Sequence, residues 1–538
     1  MPIRMEDDPN YRDQNRNNDN RPRDPRQPRN PGGGGRGGGG IGNMLVMFLP
    51  MLLRNPKLLM IALGIGAFLY FGGFFGGGGG FTDNTNPSNV ITNDNENIVS
   101  PFSTGGFLDE KKYDKAMVYA ALADNKKNPL PERVSLEQYA PRRLNQGRQG
   151  SCVGWSSAYA AQTIQYAKAY GIEPDRVAFS PSYLYNQIAL RGCQGTYIHE
   201  AMKVMESRGT LPLQAFPYDE SSCSEKPNRA EQQEAYKYRI KGNNRLSEGA
   251  NKYKTDLVAV KQHLAAGTPV VIGMQVGGTF MTAMRGREVW NPSRNDYNMR
   301  GFGGHAMCVI GYDDYKGGGA FQIMNSWGPE WGKNGIGWVK YDDFYHFNKE
   351  AYGLHPMSDA DEKNSNVFAA GFGVIDQATG RNITLERRGP NLFGTVRPVR
   401  PGDKFKIEFA NTVECYTYLF GQETDGSSYV LFPYTKKHSP YCGVTGTRVF
   451  PRDKNLVPDN IGNRDYFAVI VTKQPVDYEK VNALINSTPG SSYIDKITRA
   501  IGSDLVSDAD FTTAEGNVIF QAQSDRNVAA FVIEVDKR

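Results

Sequence analysis

A chain of 538 residues exceeds what a single hydrophobic core organises, so two or more domains are expected. A net charge of +5 over that length, with no helix-turn-helix, zinc-finger or ribonucleoprotein pattern, argues against a nucleic-acid partner. Six cysteines without a CxxC pair and six histidines without an HExxH pattern argue against a disulfide-built scaffold and against metal chemistry, so no metal and no other cofactor is expected.

Residues 1–43 are rich in Arg, Asn, Asp, Pro and Gly and nearly free of large apolar side chains. Such a segment cannot bury enough surface to offset its chain entropy and reads as a disordered tail. Residues 44–76 hold two apolar runs, MLVMFLPMLL (44–53) and the uncharged LLMIALGIGAFLYFGGFF (58–75), and the second is near the lower length limit of a transmembrane helix. Ten basic residues lie between Arg4 and Lys57 and none between Gly76 and Leu108. The charge bias predicts a single-pass anchor with a cytoplasmic N-terminus and everything after residue 76 periplasmic or extracellular. Residues 77–124 read as a flexible tether, with a short helix over 110–123.

A first folded unit is expected over 125–357. SCVGWSSAYAAQTIQYAKAYG (151–171), YIHEAMKVMESRG (197–209) and DLVAVKQHLAAG (256–267) have helical patterns closed by glycine, Ser151 being the expected cap of the first. TPVVIGMQV (268–276), HAMCVIGYDD (305–314), GGAFQIMNS (318–326) and GIGWVKYDDF (335–344) read as strands, with Cys308 in the core. Helices followed by strands make an α+β layout. After a polar stretch at 356–366, residues 366–538 contain repeated strand patterns and one helix at 477–488, a β-rich accessory domain. Within it Tyr416, Tyr418 and Phe420 alternate as one core face.

Chemistry concentrates around Cys152, at the start of a predicted helix where partial positive charge and partial exposure favour the thiolate. His305, in GFGGHAMCVIGYDD, follows a glycine run and opens a strand that fixes its ring. Asn325, in IMNSWGPEWGKNGIGW, can orient an imidazole by its amide. This set supplies a nucleophile, a general base and an orienting group. The Cys152 N–H and the side-chain amide of Gln146 are the expected oxyanion donors.

With QGRQGSC (146–152), GCQGTY (192–197), GGHAMCVIGYD (303–313) and NSWGPEWGKNGIGW (325–338) in this order, the chain resembles the papain family of cysteine peptidases. The resemblance implies a two-lobed fold, one lobe helical and one a β-sheet, with the cleft between them. It implies Trp327 over the His–Asn pair, Trp331 on the primed side of the cleft, Gly195 and Thr196 as backbone binders of substrate, and Tyr197 and Ala306 as pocket walls. Gln149 stands where the family often has a disulfide cysteine and Val153 where it has Trp, with Trp155 as a substitute filler. The loss at 149 leaves Cys193 and Cys223 either to pair with each other or to remain free. The long inhibitory prodomain of the family is missing, and 108–130 is the segment expected to cover the cleft.

Residues 366–538 resemble a domain of unknown function appended to bacterial caspase-like and papain-like peptidases, with Cys415 and Cys442 as a candidate disulfide. The expected whole is a bacterial-type, membrane-anchored cysteine peptidase acting on peptide or protein substrates outside the cytoplasm, its membrane contact at 58–75, with a protein partner for the C-terminal domain. An envelope transpeptidase or amidase, and a non-catalytic peptide-binding scaffold, are the alternatives.

Overall fold

A computed structural model of the chain describes residues 3–9, 102–123, 129–248, 254–357, 367–506 and 510–538. The apolar runs at 44–53 and 58–75, and with them the expected anchor, lie outside these residues. Among the described residues no helix is long and apolar enough to cross a membrane.

One long helix dominates the first half of the region 129–357. It opens at Cys152–Gly154, continues with a wider π repeat over Trp155–Gln162, and finishes as Thr163–Tyr170, where Gly171 at φ 61° stops it in the left-handed conformation. Ala158, Ala160 and Ala161 are buried, and their small side chains let the helix lie close to its neighbours. Ser151 does not cap this helix by its side chain, because its hydroxyl is held instead by the Tyr218 hydroxyl at 2.7 Å. Helices Pro181–Ile188 and Ile198–Ser207 belong to the same half.

The second half is an antiparallel sheet with strand order Ile336–Lys340, Ala320–Met324, Gly303–Asp313, Val270–Val276, Asn348–Leu354 and Asn243–Arg245, and Arg133–Ser135 also pairs with Gly303–Asp313. Strand Gly303–Asp313 is buried along most of its length, and its apolar residues share one core with the long helix. The segment read as a strand at 335–344 ends at Lys340 and turns into helix Tyr341–Phe347.

The C-terminal region is a sandwich of two sheets. Val367–Asp376, Phe405–Asn411 and Asn517–Gln523 lie in one, and Cys415–Gln422, Arg464–Thr472 and Val528–Asp536 in the other. Phe372, Phe393, Phe511 and Phe531 meet between them at centroid distances of 5.5–6.0 Å. Tyr418 and Phe420 face the other way, against helices Tyr478–Ser487 and Tyr493–Ile501. The second of these helices is an addition to the one expected from the pattern.

Four expectations are corrected here. Residues Ile3–Asp7, expected in a disordered tail, form a strand paired residue by residue with Lys454–Pro458; Ile3 is buried and Asp8 forms a buried ion pair with Lys406. The helix expected over 110–123 is confined to Glu110–Tyr113. Beyond it the chain is extended, because its backbone bonds lie on both sides: Arg245 N–H reaches Met117 O at 2.7 Å, Val118 N–H reaches Lys437 O at 2.6 Å and Ala123 N–H reaches Thr447 O at 2.7 Å. Residues 102–123 are therefore a built part of the fold and not a tether. Finally, Cys415 and Cys442 stand opposite each other on paired strands as free, buried thiols, Cys442 Sγ donating to Pro440 O at 3.6 Å, so no disulfide joins them.

Candidate active site

Cys152, His305 and Asn325 come from three elements and converge. The N–H of Ala306, the residue after His305, donates to Cys152 Sγ at 3.4 Å. His305 Nε2 lies 2.8 Å from Asn325 Oδ1, which also accepts from Ser326 N–H at 2.7 Å. An oxygen already accepting from an amide fixes the imidazole proton on Nε2. That leaves Nδ1, which has no hydrogen-bond partner among the described residues, as the basic atom for the thiol. Trp327 stacks on the imidazole at 4.4 Å and 22°, covering the His–Asn bond.

Gln146 is wholly buried. Its amide N–H donates to Gln149 O at 2.9 Å and its carbonyl accepts from Ser326 Oγ at 2.6 Å. The Gln146 amide is thus oriented from the same loop that carries Asn325, a contribution of Ser326 that no sequence pattern signals. The Cys152 N–H, first in its helix, has no intrahelical acceptor.

Gln149 ties down a neighbouring loop, since its side-chain amide donates to Asp219 O at 3.2 Å and to Ser222 O at 3.1 Å. The loop so held carries Cys223, which is bonded to Cys193, and Cys193 O accepts from Gly150 N–H. Trp155 is buried between Tyr159 and Tyr218, with centroids at 4.7 and 4.8 Å. Trp331 does not border an open cleft. It is fully buried, packed on Phe280 at 5.0 Å with its indole N–H on Phe280 O.

A segment outside the expected cover lies across this site. Phe102 stacks on the Trp327 ring at 4.7 Å and 11°, and the Trp327 indole N–H donates to Ser103 O at 2.8 Å. Gly105 N–H reaches Gly304 O at 3.2 Å, and Gly105 O accepts from Thr196 N–H at 2.9 Å. Gly106–Phe107 pairs in parallel with Thr196–Tyr197, bringing Phe107 to 6.1 Å from the Tyr197 ring. A side chain at Gly105 (φ 155°) has no room, since its Cβ would stand 2.4 Å from Gly150 O; one at Gly106 would stand 3.1 Å from Ala306 N. Gly195, Thr196, Tyr197, Ala306 and Trp327 are therefore contacted by Phe102–Phe107, which lies upstream of the 108–130 stretch expected as the cover. The sequence sign of it is a pair of glycines between two phenylalanines, FSTGGF.

Covering changes the electrostatics. Cys152 and His305 are both fully buried. Desolvation pushes the Cys152 thiol up to about 12, only partly offset by the N–H groups of Ala306, Val153 and Cys152 itself. Desolvation also brings the His305 imidazole down to about 4, against the bond to Asn325. The partly exposed, acidified thiol expected from the sequence is replaced, in this covered arrangement, by a neutral thiol beside a neutral imidazole.

The model of the papain family cysteine protease matches residues 132–354. An uncharacterized peptidase C1-like protein of Acanthamoeba polyphaga mimivirus is 29% identical over 214 residues, 38% of this chain and 66% of that protein. Cathepsin K of Mus musculus is 30% identical over 217 residues, 38% of this chain and 58% of that protein. Among solved structures, xylellain, a cysteine protease from Xylella fastidiosa, is 23% identical, with 48% of this chain and 97% of that one covered and a TM-score of 0.39. The chain spans 58% to 68% of the length of the curated relatives it matches. The convergence of Cys152, His305 and Asn325 falls inside residues 132–354, the range that is similar to the papain family cysteine protease.

Proposed function

We propose that the chain hydrolyses peptide bonds of protein substrates through Cys152, and that Phe102–Phe107 holds it latent. The observation that carries the first part is the imidazole held by Asn325 with Nδ1 left for the thiol. With the cover displaced, water returns to the site and the cost of charging Cys152 and His305 falls, so the thiol proton passes to His305 Nδ1. Sγ then bonds to the substrate carbonyl carbon, while the Cys152 N–H and the Gln146 amide receive the oxyanion. The imidazolium gives its proton to the leaving amine as the C–N bond breaks, leaving a thioester on Cys152. Water, deprotonated by His305, attacks the thioester and releases the acid. Substrate backbone would take the bonds on Thr196 and Gly304 that Gly105 now occupies.

Attachment to a membrane through 58–75 stays part of the proposal, with one revision of orientation. The pairing of Ile3–Asp7 with Lys454–Pro458 favours these two segments on the same side of the membrane, so that the chain enters and leaves the bilayer on one side around 58–75. The Cys193–Cys223 disulfide supports an oxidising side, outside the cytoplasm.

Hydrolysis of a peptide library by the full chain, with Cys152→Ala as control, tests the activity. Cleavage lost by about 10⁴-fold or more in the variant supports it. Cleavage unchanged in Cys152→Ala, or none from a wild-type chain whose thiol an epoxide inhibitor labels readily, contradicts it. Sidedness is read by protease protection of a tag placed before Met1: protection matching that of the catalytic domain is expected, and opposite protection refutes the revised orientation.

A further inference from the structure

The loop 146–151 has an expected oxyanion donor at each end, the Gln146 side-chain amide at one and the Cys152 N–H, just after Ser151, at the other. Two donors serve one oxygen only at a fixed spacing, since a misplacement of about 1 Å can cost about a hundredfold in rate. Glycines at 147 and 150, the first at φ 64°, give the loop little stiffness of its own. One side chain from outside it reaches both ends. The Tyr218 hydroxyl donates to Gln146 O at 2.7 Å. A phenol has a single proton, so in the 2.7 Å contact with Ser151 the serine hydroxyl donates and the phenol oxygen accepts. Gln149 Oε1 stands 3.3 Å from the same oxygen. Tyr218 is itself fixed: its ring packs edge-on against Trp155 at 4.8 Å, Phe216 before it is buried with Tyr183 and Leu211, and Cys223 after it is bonded to Cys193. Gln146 is thus gripped from two sides. Ser326, beyond strand Ala320–Met324, takes its N–H at 2.8 Å and donates to its Oε1 at 2.6 Å, and Tyr218 holds its backbone carbonyl.

We infer that Tyr218 is a positioning residue for the oxyanion hole: by tying Gln146 O to Ser151 Oγ, its hydroxyl sets the spacing between the Gln146 amide and the Cys152 N–H. It acts through Gln146 and Ser151 and not on the reacting atoms. The same tie explains why Ser151 leaves its helix uncapped, its hydroxyl being spent on the phenol. The inference rests on the reading of Cys152 as a nucleophile toward a carbonyl carbon.

The test is Tyr218→Phe in the full chain, which removes the hydroxyl and keeps the ring on Trp155. Two reagents are compared. A peptide aldehyde adds the Cys152 S–H across its C=O and sets the former carbonyl oxygen in the hole, whereas an epoxide opens at a ring carbon and puts no carbonyl oxygen there. The fraction of molecules with Phe102–Phe107 displaced enters both and cancels in the ratio of aldehyde affinity to epoxide labelling rate. Tyr218→Phe should lower that ratio about tenfold, a part of the roughly 10²–10³ that loss of a whole oxyanion donor costs. On a peptide amide kcat should fall by about the same factor with KM within about twofold. In a Gln146→Ala background Tyr218→Phe should change the ratio less than about twofold, because the amide it positions is gone; a merely structural role would cost the same in both backgrounds. Ser151→Ala cuts the tie at its other end and should lower the ratio in the same direction, so the test survives a Tyr218→Phe chain that does not fold. A ratio unchanged in the folded variants, an equal loss with and without Gln146, or no aldehyde adduct in a wild-type chain that the epoxide labels would each overturn the inference. Failure of the peptidase reading looks different: both reagents modify wild type, the ratio still responds to Tyr218→Phe, and no peptide amide is cleaved.

Discussion

Residues 102–107 and 117–123 belong to one continuous segment, yet they are held in different ways. The first stretch crosses the candidate site on a few backbone bonds and one stacked ring, and its neighbours are groups proposed to bind substrate. The second is locked from both sides. Arg448, wholly buried, donates to Ala120 O at 2.9 Å, to Asn411 Oδ1 at 2.7 Å and to Val444 O at 2.7 Å, while Gln262 exchanges two hydrogen bonds with the Leu122 backbone. Backbone satisfied by one domain on each side is fixed structure, whereas the few backbone bonds of 102–107 across the candidate site suit the removable cover proposed above. The difference teaches that removing the cover does not require the domains to part.

That contrast is broken or sharpened by substitution in each half. Arg448→Ala leaves three buried acceptors unmatched and should cost about 3–5 kcal/mol of stability, read by denaturant unfolding, with no faster thiol labelling in the protein that stays folded. Phe102→Ala should do the reverse. Loss of the stacked ring is worth about 1–2 kcal/mol to the covered state, so epoxide labelling of Cys152 should rise about tenfold while global unfolding moves little. Labelling unchanged by Phe102→Ala would place the closure elsewhere.

Acid supplies a gentler perturbation. The covered His305 has its pKa lowered from 6.5 to about 4, so the covered state holds its imidazole neutral. Closure therefore carries no titration penalty above pH 6.5 and loses stability as pH drops toward 4, by at most about 1.4 kcal/mol per unit. Labelling corrected for the chemistry of the reagent should therefore rise a few-fold from pH 7 to pH 5.5. His263 and His355, also buried, with values lowered to about 4 and about 3, lose stability in the same direction, so circular dichroism must accompany the measurement. A labelling rate that falls with acid would count against a neutral covered pair. The smallest effect is expected from Ser103→Ala, which removes one exposed bond to Arg148 O and should change labelling less than twofold.

Much of the papain-like region is legible in the residues. Alanines and a closing Gly171 announce the long helix, and the spaced Cys152, His305 and Asn325 announce the chemistry, because each needs its local sequence to be positioned. What stays hidden depends on partners far along the chain. Nothing in IRMED says that Ile3–Asp7 will pair with Lys454–Pro458, and MVYAALA has helical composition but takes its bonds from Arg245, Lys437 and Thr447. Helix Tyr493–Ile501 is readable from local signals although the strand patterns around it draw attention away: Ser492 caps it, Asp495 stands three residues on and Gly502 ends it. The burial of Cys152 is not legible because it comes from Phe102–Phe107 and not from the residues flanking the thiol.

The central claim, a complete site under a removable cover, is tested most directly by the rate at which an epoxide inhibitor modifies Cys152 in wild type and in Gly105→Val. A valine side chain at Gly105 collides with the backbone of Gly150 and cannot stay in the cleft. Labelling should be faster by at least about tenfold in the variant, from about 1.4 kcal/mol or more taken from closure, with Cys152→Ala unlabelled in either background. Equal rates in wild type and Gly105→Val, with both proteins folded, would contradict it.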